Sequence, residues 1–359
     1  MSLRESTKRV HRVAVIPGDG VGKEVTPAAL AVVRSLASSL GIAVDLAEFP
    51  WGCDHYARYG EMMPPGELEA LASFDAILLG AVGSPEVPDH IPVWGLVLPI
   101  RQHFEQYINL RPMRLLPGVA SPLAGRTPEE VDMVCVRENS EGEYSGVGRR
   151  IDEATEREVA EETAVFSRRG IERVARFALS LAARRPRRRL ASATKSNALR
   201  HAMVLWDEVI DEVALTDGSV EVSRYHVDAL AARMVTHPET LDTIVASNLF
   251  GDILTDLGAA ITGSLGLAPS ANLNPEREYP SMFEPIHGSA PDIAGRGIAN
   301  PIGAIWAAAL MLEHLGEQVA HDRIVAAIEH VLAAGEVRTP DLDGEATCRE
   351  LATAIGKAL

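Results

Sequence analysis

The sequence predicts an α/β protein of two domains built around largely parallel sheet. Three observations carry that prediction. Apolar strand runs alternate with helical patterns through the first third of the chain. At 359 residues the chain is too long for one ordinary domain and about right for two. A glycine-rich turn follows the first strand, but its spacing is Gly18-x-Gly20-x-Gly22. The dinucleotide pattern Gly-x-Gly-x-x-Gly would need glycine where Lys23 stands, so a Rossmann fold is rejected. The turn reads instead as a tight strand-to-helix connection.

Taken in order, Val13–Pro17 is a buried strand and Gly18–Gly22 turns it. A helix follows to about Leu40, with Pro27 in its first turns. Asp45–Phe49 and Phe74–Val82 are further strands, and Val93–Phe104 is a helix. Beyond Pro112, Asp132–Val136 is a strand. The stretch from Ser145 to Glu162 is polar and lacks core residues, so it is an excursion from the domain, either an arm or a mobile loop. Ile171, Val174, Ala175, Ala178, Leu181 and Ala182 recur at helical spacing. The run Arg184–Arg189, broken by Pro186, ends that helix and reads as a solvated corner rather than a nucleic-acid patch. Strands follow near Leu190–Thr194, Val220–Val227 and Thr243–Ser247. The Ala-rich tail carries Ile324, Ile328, Val331 and Leu332 on one stripe, which is core packing.

With 34 basic and 50 acidic side chains the net charge is −16, which argues against nucleic-acid and membrane-surface roles. No uninterrupted apolar run approaches bilayer length. The polar start Met1–Arg9 has no apolar core of a signal peptide behind it. The three cysteines, Cys53, Cys135 and Cys348, form no Cys-x-x-Cys pair; this fits a reduced cytosol and argues against disulfides or structural zinc.

Several groups could carry chemistry. Asp252 and Asp256 follow a short apolar strand, and a helix starting near Asn248 puts both carboxylates on one face. Like charges at that spacing repel, and a hard divalent cation would cancel the repulsion. Read alone, the pair is equally solvated surface. Arg101, Arg111 and Arg137 each stand at a strand or helix end, and converging arginines would clamp a small dicarboxylate. Lys195 stands at a strand end and a helix start, a placement against the helix dipole that favours the free amine a base needs. Tyr144 and Asp228 complete the set, although either alone reads as capping or surface. The loop from Glu284 through Ile293 to Asn300 is rich in glycine and proline, with backbone N–H groups free to meet a phosphate.

These residues resemble those of the metal-dependent β-decarboxylating dehydrogenases, the isocitrate, isopropylmalate, homoisocitrate and tartrate/D-malate enzymes. The likeness runs through Ile16–Gly22, Asn109–Pro112, Arg137–Asn139, Thr194–Asn197, Gly251–Asp256 and His287–Ile293, in family order. It implies an isopropylmalate dehydrogenase-like fold of two α/β domains with a cleft between them. Residues 1–106 and 263–359 would form the large domain, and 107–262 the small one. The stretch after Tyr144 would be an intersubunit arm, and sites would be shared in a homodimer. By that analogy Lys195 and Asp228 reach across the interface to face Asp252 and Asp256.

The roles implied by the resemblance are these. Mg2+ or Mn2+ is held by Asp228, Asp252 and Asp256, acidifies the substrate hydroxyl and later stabilises an enolate. Lys195 assists deprotonation, Tyr144 protonates the enol carbon, and Arg101, Arg111 and Arg137 clamp carboxylates. NAD is met by Glu284, His287, Gly288, Ser289, Ala290, Asp292, Ile293 and Asn300; Asp292 can accept from a ribose hydroxyl and would repel the 2′-phosphate of NADP. Trp94 stands where isopropylmalate enzymes usually place Glu, and neither their leucine-rich face nor the Ser and Asn of isocitrate enzymes is present. A short C4 acid is therefore expected: D-malate, giving pyruvate and CO2, with tartrates as further substrates. The alternatives are 3-isopropylmalate as substrate or, in another class, a non-catalytic regulatory subunit. K+ often activates the tartrate/D-malate branch, but no motif here demands it.

Overall fold

A computed structural model describes residues 10–359, so Met1–Arg9 and the expectation attached to it lie outside the described residues. The chain divides into two compact units. The first takes residues up to Phe104, Leu116–Ala120 and Gly263–Leu359; the second takes Glu105–Leu115 and Ser121–Thr262.

The first unit begins with β1 (Val10–Gly18), α1 (Gly22–Leu40), β2 (Ala43–Glu48), α2 (Cys53–Tyr59), α3 (Glu67–Leu71) and β3 (Ala76–Ala81). Then α4 (His90–Pro92) runs through a π-helical turn, Val93–Val97, into α5 (Leu98–His103). The second unit contains β4 (Ile108–Arg114), β5 (Asp132–Glu138), β6 (Gly142–Ile151), β7 (Val159–Val165) and α6 (Arg168–Arg184). It continues with β8 (Arg189–Thr194), α7 (Ala202–Ala214), β9 (Glu221–His226), α8 (Val227–Thr236), β10 (Thr243–Ala246) and α9 (Asn248–Ile261). Back in the first unit come β11 (Pro269–Leu273), β12 (Ser281–Pro285), α10 (Ile302–His314), α11 (Gln318–Ala334) and α12 (Cys348–Ala358).

Strands of the first unit lie in the order β2-β1-β3-β12-β11, parallel except for β11, which runs antiparallel to β12. Every residue of β3 is buried, the continuous apolar pattern of a strand covered on both faces. From Ile302 to Leu312, α10 is buried all round, as expected of a helix central to its unit. Ile16, Ile77, Leu96, Ile100 and Phe104 share one core cluster. The helices α2 and α3 have no counterpart among the predicted elements, being too short for a helical period to register.

The glycine turn after β1 is a close backbone junction. Gly18 and Gly20 hold φ of +70° and +50°, the left-handed region open to glycine. A Cβ on Gly18 would stand 2.0 Å from the Ala81 carbonyl oxygen, and one on Gly20 2.1 Å from that of Ser289. Buried between them in sequence, Asp19 accepts from the backbone N–H of Cys53 and Gly83. These glycines therefore admit β3 and the Ser289 loop, and the tight-turn reading of the sequence holds.

In the second unit the order is β4-β5-β10-β8-β9, parallel except for β4 against β5. Ile171, Val174, Ala175, Ala178 and Ala182 face inward from α6, with Leu179 rather than Leu181 fully buried beside them. The polar excursion is an antiparallel ribbon of β6 and β7, exposed along the whole of β7. Arg149–Glu161 (2.7 Å) and Arg150–Glu158 (2.6 Å) pair across it.

One expectation is corrected here. The arginine run after α6 is not simply a solvated corner. Arg185 donates to buried Asp242 at 2.5 Å and also bonds Asp132. Arg187 donates to the backbone carbonyls of Asp132 and Leu241. Carbonyls and carboxylates at the entrances of β5 and β10 draw two of the arginines inward, which a charge count alone does not reveal.

No helix among the described residues is long and apolar enough to cross a membrane. All three cysteines are free and buried, and burial pushes each thiol up to about 12.

Candidate active site

The second unit places Asp252 and Asp256 one turn apart on α9, which starts at Asn248 as the sequence predicts. Three groups converge on Asp252. Arg137 Nη1 donates to its Oδ1, Arg111 Nη1 donates to the same oxygen at 3.2 Å, and the Tyr144 hydroxyl donates to Oδ2 at 3.1 Å. Arg111 also donates to Thr255 Oγ1 at 2.7 Å and stands 3.9 Å from Asp256. Desolvation pushes the Asp256 carboxyl above its ordinary value; Arg111 opposes this and the negative Asp252 adds to it. Two partly exposed carboxylates so crowded fit a hard divalent cation as two of its oxygen donors.

Both inner arginines are almost fully buried. Arg137 lies at the end of β5 as predicted, but Arg111 stands in the middle of β4 rather than at a strand end. Its antiparallel pairing with Cys135 aligns the two strands that carry these guanidiniums. Arg137 also lies 5.5 Å over the Tyr144 ring. Burial, then the charge of Asp252, raises the Tyr144 phenol above its ordinary value, so it keeps its proton at neutral pH.

Lys195 and Asp228 form a separate pair, Nζ to Oδ1 at 2.5 Å. The lysine's hydrogen bond is the first cause that lowers the Asp228 carboxyl. Lys195 follows β8 as predicted but does not begin a helix, because α7 starts only at Ala202. The intervening residues turn back on themselves, with the Ala198 and Leu199 N–H groups bonded to the Lys195 carbonyl. The dipole argument for Lys195 therefore fails, and its placement rests on Asp228. Among the described residues no three or more His, Cys, Asp or Glu side chains of one chain are grouped so that they could hold a metal ion. Asp228 is accordingly not gathered with Asp252 and Asp256 within the chain.

In the first unit Arg101 is buried and its Nη2 donates to Glu284 at 2.7 Å; Asn272 donates to the same carboxylate at 2.8 Å. Trp94 stands on the π-helical turn, 46% exposed, and lines an open cavity of about 580 Å³ with Tyr56, Met63 and Ile91. It is therefore not a core residue.

The loop after β12 is anchored where Val21 donates to the Ser289 carbonyl at 2.9 Å. Gly288 is exposed, with open space where a Cβ would be. Ala290 holds a left-handed φ of +42°, and its carbonyl accepts from Ile293 and Ala294. Asp292 is exposed and Ile293 half-buried. His287 Nδ1 bonds the Gly288 carbonyl at 3.0 Å, which requires a proton on that nitrogen. Nε2 is then a buried acceptor without a protein partner, and burial pushes the imidazole below its ordinary value, keeping it neutral. An unpaired buried acceptor of this kind fits a donor such as the amine of an adenosine. Asn300 is engaged at both ends, donating to Asp341 at 3.0 Å and accepting from Ile302 at the start of α10.

Sequence reasoning missed Asn248, Gly251 and Thr255 as site residues. The sequence marks only a helix start near Asn248; the folded positions of Arg111 and Arg137 give these residues their partners.

The isocitrate/isopropylmalate dehydrogenase family model matches residues 12–355, and the chain belongs to that family. It is 52% identical over 358 residues to the D-malate dehydrogenase (decarboxylating) of Escherichia coli, covering 98% of this chain and 99% of that one. To the tartrate dehydrogenase/decarboxylase of Pseudomonas putida it is 49% identical over 356 residues, 97% of each. The crystal structure of isocitrate dehydrogenase from Methylococcus capsulatus superposes with a TM-score of 0.88 at 34% identity, over 97% of this chain and 99% of that one.

Proposed function

We propose that the protein oxidises and decarboxylates a short 2-hydroxy dicarboxylic acid, D-malate to pyruvate and CO2, with tartrates as further substrates. The observation that carries this reading is the constellation on α9: an acid, Tyr144, hydrogen-bonded to Asp252 between two buried arginines. The names of the relatives at about half identity support the substrate class.

When bound, NAD supplies the hydride acceptor and Mg2+ or Mn2+ supplies Lewis acidity at the reacting oxygen. Asp252 and Asp256 of one chain would hold the cation together with Asp228 of a second copy. The chain's own groups do the rest. Arg111 and Arg137 fix the substrate's carboxylates. Lys195, brought with Asp228 by the second copy, takes the hydroxyl proton as the hydride leaves. Loss of CO2 leaves a carbon that must be protonated, and Tyr144 holds the proton for it. Asp292 favours NAD, since its charge opposes a 2′-phosphate, and His287 and Ser289 support the nucleotide. The exposed Val147, Val159 and Val165 of the ribbon support a homodimer, because a two-stranded ribbon is marginal alone.

The test is NADH formation from NAD and Mn2+ with D-malate, the tartrates and 3-isopropylmalate side by side, with pyruvate assayed. Strong turnover of D-malate with little on 3-isopropylmalate is expected. Preference for 3-isopropylmalate would overturn the role given to Trp94, and absence of any turnover would overturn the enzymatic reading.

A further inference from the structure

We infer that Asn248 is a positioning residue that holds Arg137 in its working orientation and ties it to the segment leading to Tyr144. The inference rests on the reading of Arg137 as a ligand of a substrate carboxylate.

Asn248 is buried, 2% exposed, at the first position of α9. Its Oδ1 accepts from Arg137 Nε at 3.0 Å and from Nη2 at 2.7 Å. Its Nδ2 donates to the Glu141 carbonyl at 3.0 Å, three residues before Tyr144. One turn later Gly251 offers a bare backbone, and a Cβ there would stand 2.7 Å from both Cβ and Cγ of Arg137. The arginine stem thus lies across Gly251, and two of its nitrogens are fixed by Asn248. The third, Nη1, is turned to Asp252.

The chemistry of the acceptor matters. A guanidinium is planar, so an oxygen that accepts from Nε and Nη2 fixes its plane as well as its position. An amide does so without charge, so Asn248 adds no second carboxylate to the Asp252 that already pairs with the arginine's positive charge. A carboxylate at this position would hold the same geometry but neutralise that charge. The bond to Glu141 connects this setting to the loop on which Tyr144 is carried, so one side chain orients an anion ligand and the acid beside it.

The experiment uses the whole enzyme with NAD, Mn2+ and D-malate. Asn248→Ala is expected to raise KM roughly tenfold or more, the scale of lost hydrogen bonds to a charged group, with a smaller change in kcat. In an Arg137→Ala background the same substitution should add little further, because the partner it acts through is gone. The isosteric Asn248→Asp, which keeps the side-chain shape should the alanine variant not fold, is expected to raise KM while its crystal structure keeps Arg137 in place. In the Asn248→Ala crystal structure Arg137 should leave Gly251. A purely structural role would lower thermal stability and leave the KM of the folded enzyme unchanged. Wild-type KM in either variant, or an undiminished rise in the Arg137→Ala background, overturns the inference. If the wild-type enzyme oxidises none of the acids, the functional reading falls on its own; an unmoved Arg137 in Asn248→Ala then overturns the positioning role independently.

Discussion

The α9 cluster and the Lys195–Asp228 pair lie in the same unit, yet they are built differently. Asp252 is held by two buried arginines and a tyrosine, and its neighbour Asp256 is crowded by the same charges. Lys195 and Asp228 hold each other at an exposed surface, with the Asp228 side chain 68% exposed. The first is a fixed platform with anion ligands and an acid but only two carboxylates for a cation. The second offers one carboxylate and an amine with no platform. Each supplies what the other lacks, and within one chain they are not gathered. The comparison teaches that the chain carries its proposed chemistry as two incomplete halves.

The largest effect is expected from the sparse half. Lys195→Ala should reduce kcat by at least about a hundredfold while leaving NAD binding detectable by fluorescence titration. Unchanged turnover would remove Lys195 from the role of base. Tyr144→Phe, on the platform, should also lower pyruvate formation by about a hundredfold, since it deletes the proton donor and keeps the ring. Full activity in that variant would assign the acid elsewhere.

Away from both halves, Asp242→Ala should destabilise the second unit by about 3 kcal/mol in denaturant unfolding, because it leaves the Arg185 charge without its buried partner. A loss below about 0.5 kcal/mol would show that corner to be solvated after all, as surface substitutions of that size usually are.

The smallest effect is a pH dependence that separates the units. In the first unit, burial lowers His287, and burial followed by Arg277 lowers His314 from 6.5 to about 4. The unfolded chain takes up a proton as pH falls through 6.5, whereas folded His314 resists until about 4. Stability from these groups is therefore full above 6.5 and declines as pH drops from there toward 4. Asp228, whose carboxyl is lowered, keeps its contribution above 3.8 and loses it only on further acidification. Hydrogen exchange at neutral pH and near pH 5 should show protection declining first around α10. Equal decline in both units would contradict the assignment.

Much of this was legible in the sequence because it is periodic or local. The parallel strands, α1, α6 and α9 follow from apolar spacing, and the carboxylates of α9 follow from the helix start at Asn248. What escaped was too short to show a period or depended on long-range contacts. The short helices α2 and α3 give no period. Arg185 and Arg187 turn inward because Asp132, Leu241 and Asp242 come from strands distant in sequence. Lys195 was given a helix terminus that the chain delays until Ala202, since Thr-Lys-Ser-Asn carries no signal that distinguishes a turn from a first helical turn. Asn248 marks only a helix start in the sequence, because its partner Arg137 lies on β5, distant in sequence.

The most direct test of the two-half account mixes two inactive variants, Lys195→Ala and Asp252→Asn, each purified alone, then unfolded and refolded together. If the halves of one site come from different copies, random pairing restores one intact site in each mixed dimer, about a quarter of wild-type activity overall. No recovery, with mixed dimers demonstrated by mass spectrometry, would mean that each site is completed within one chain, contrary to the account.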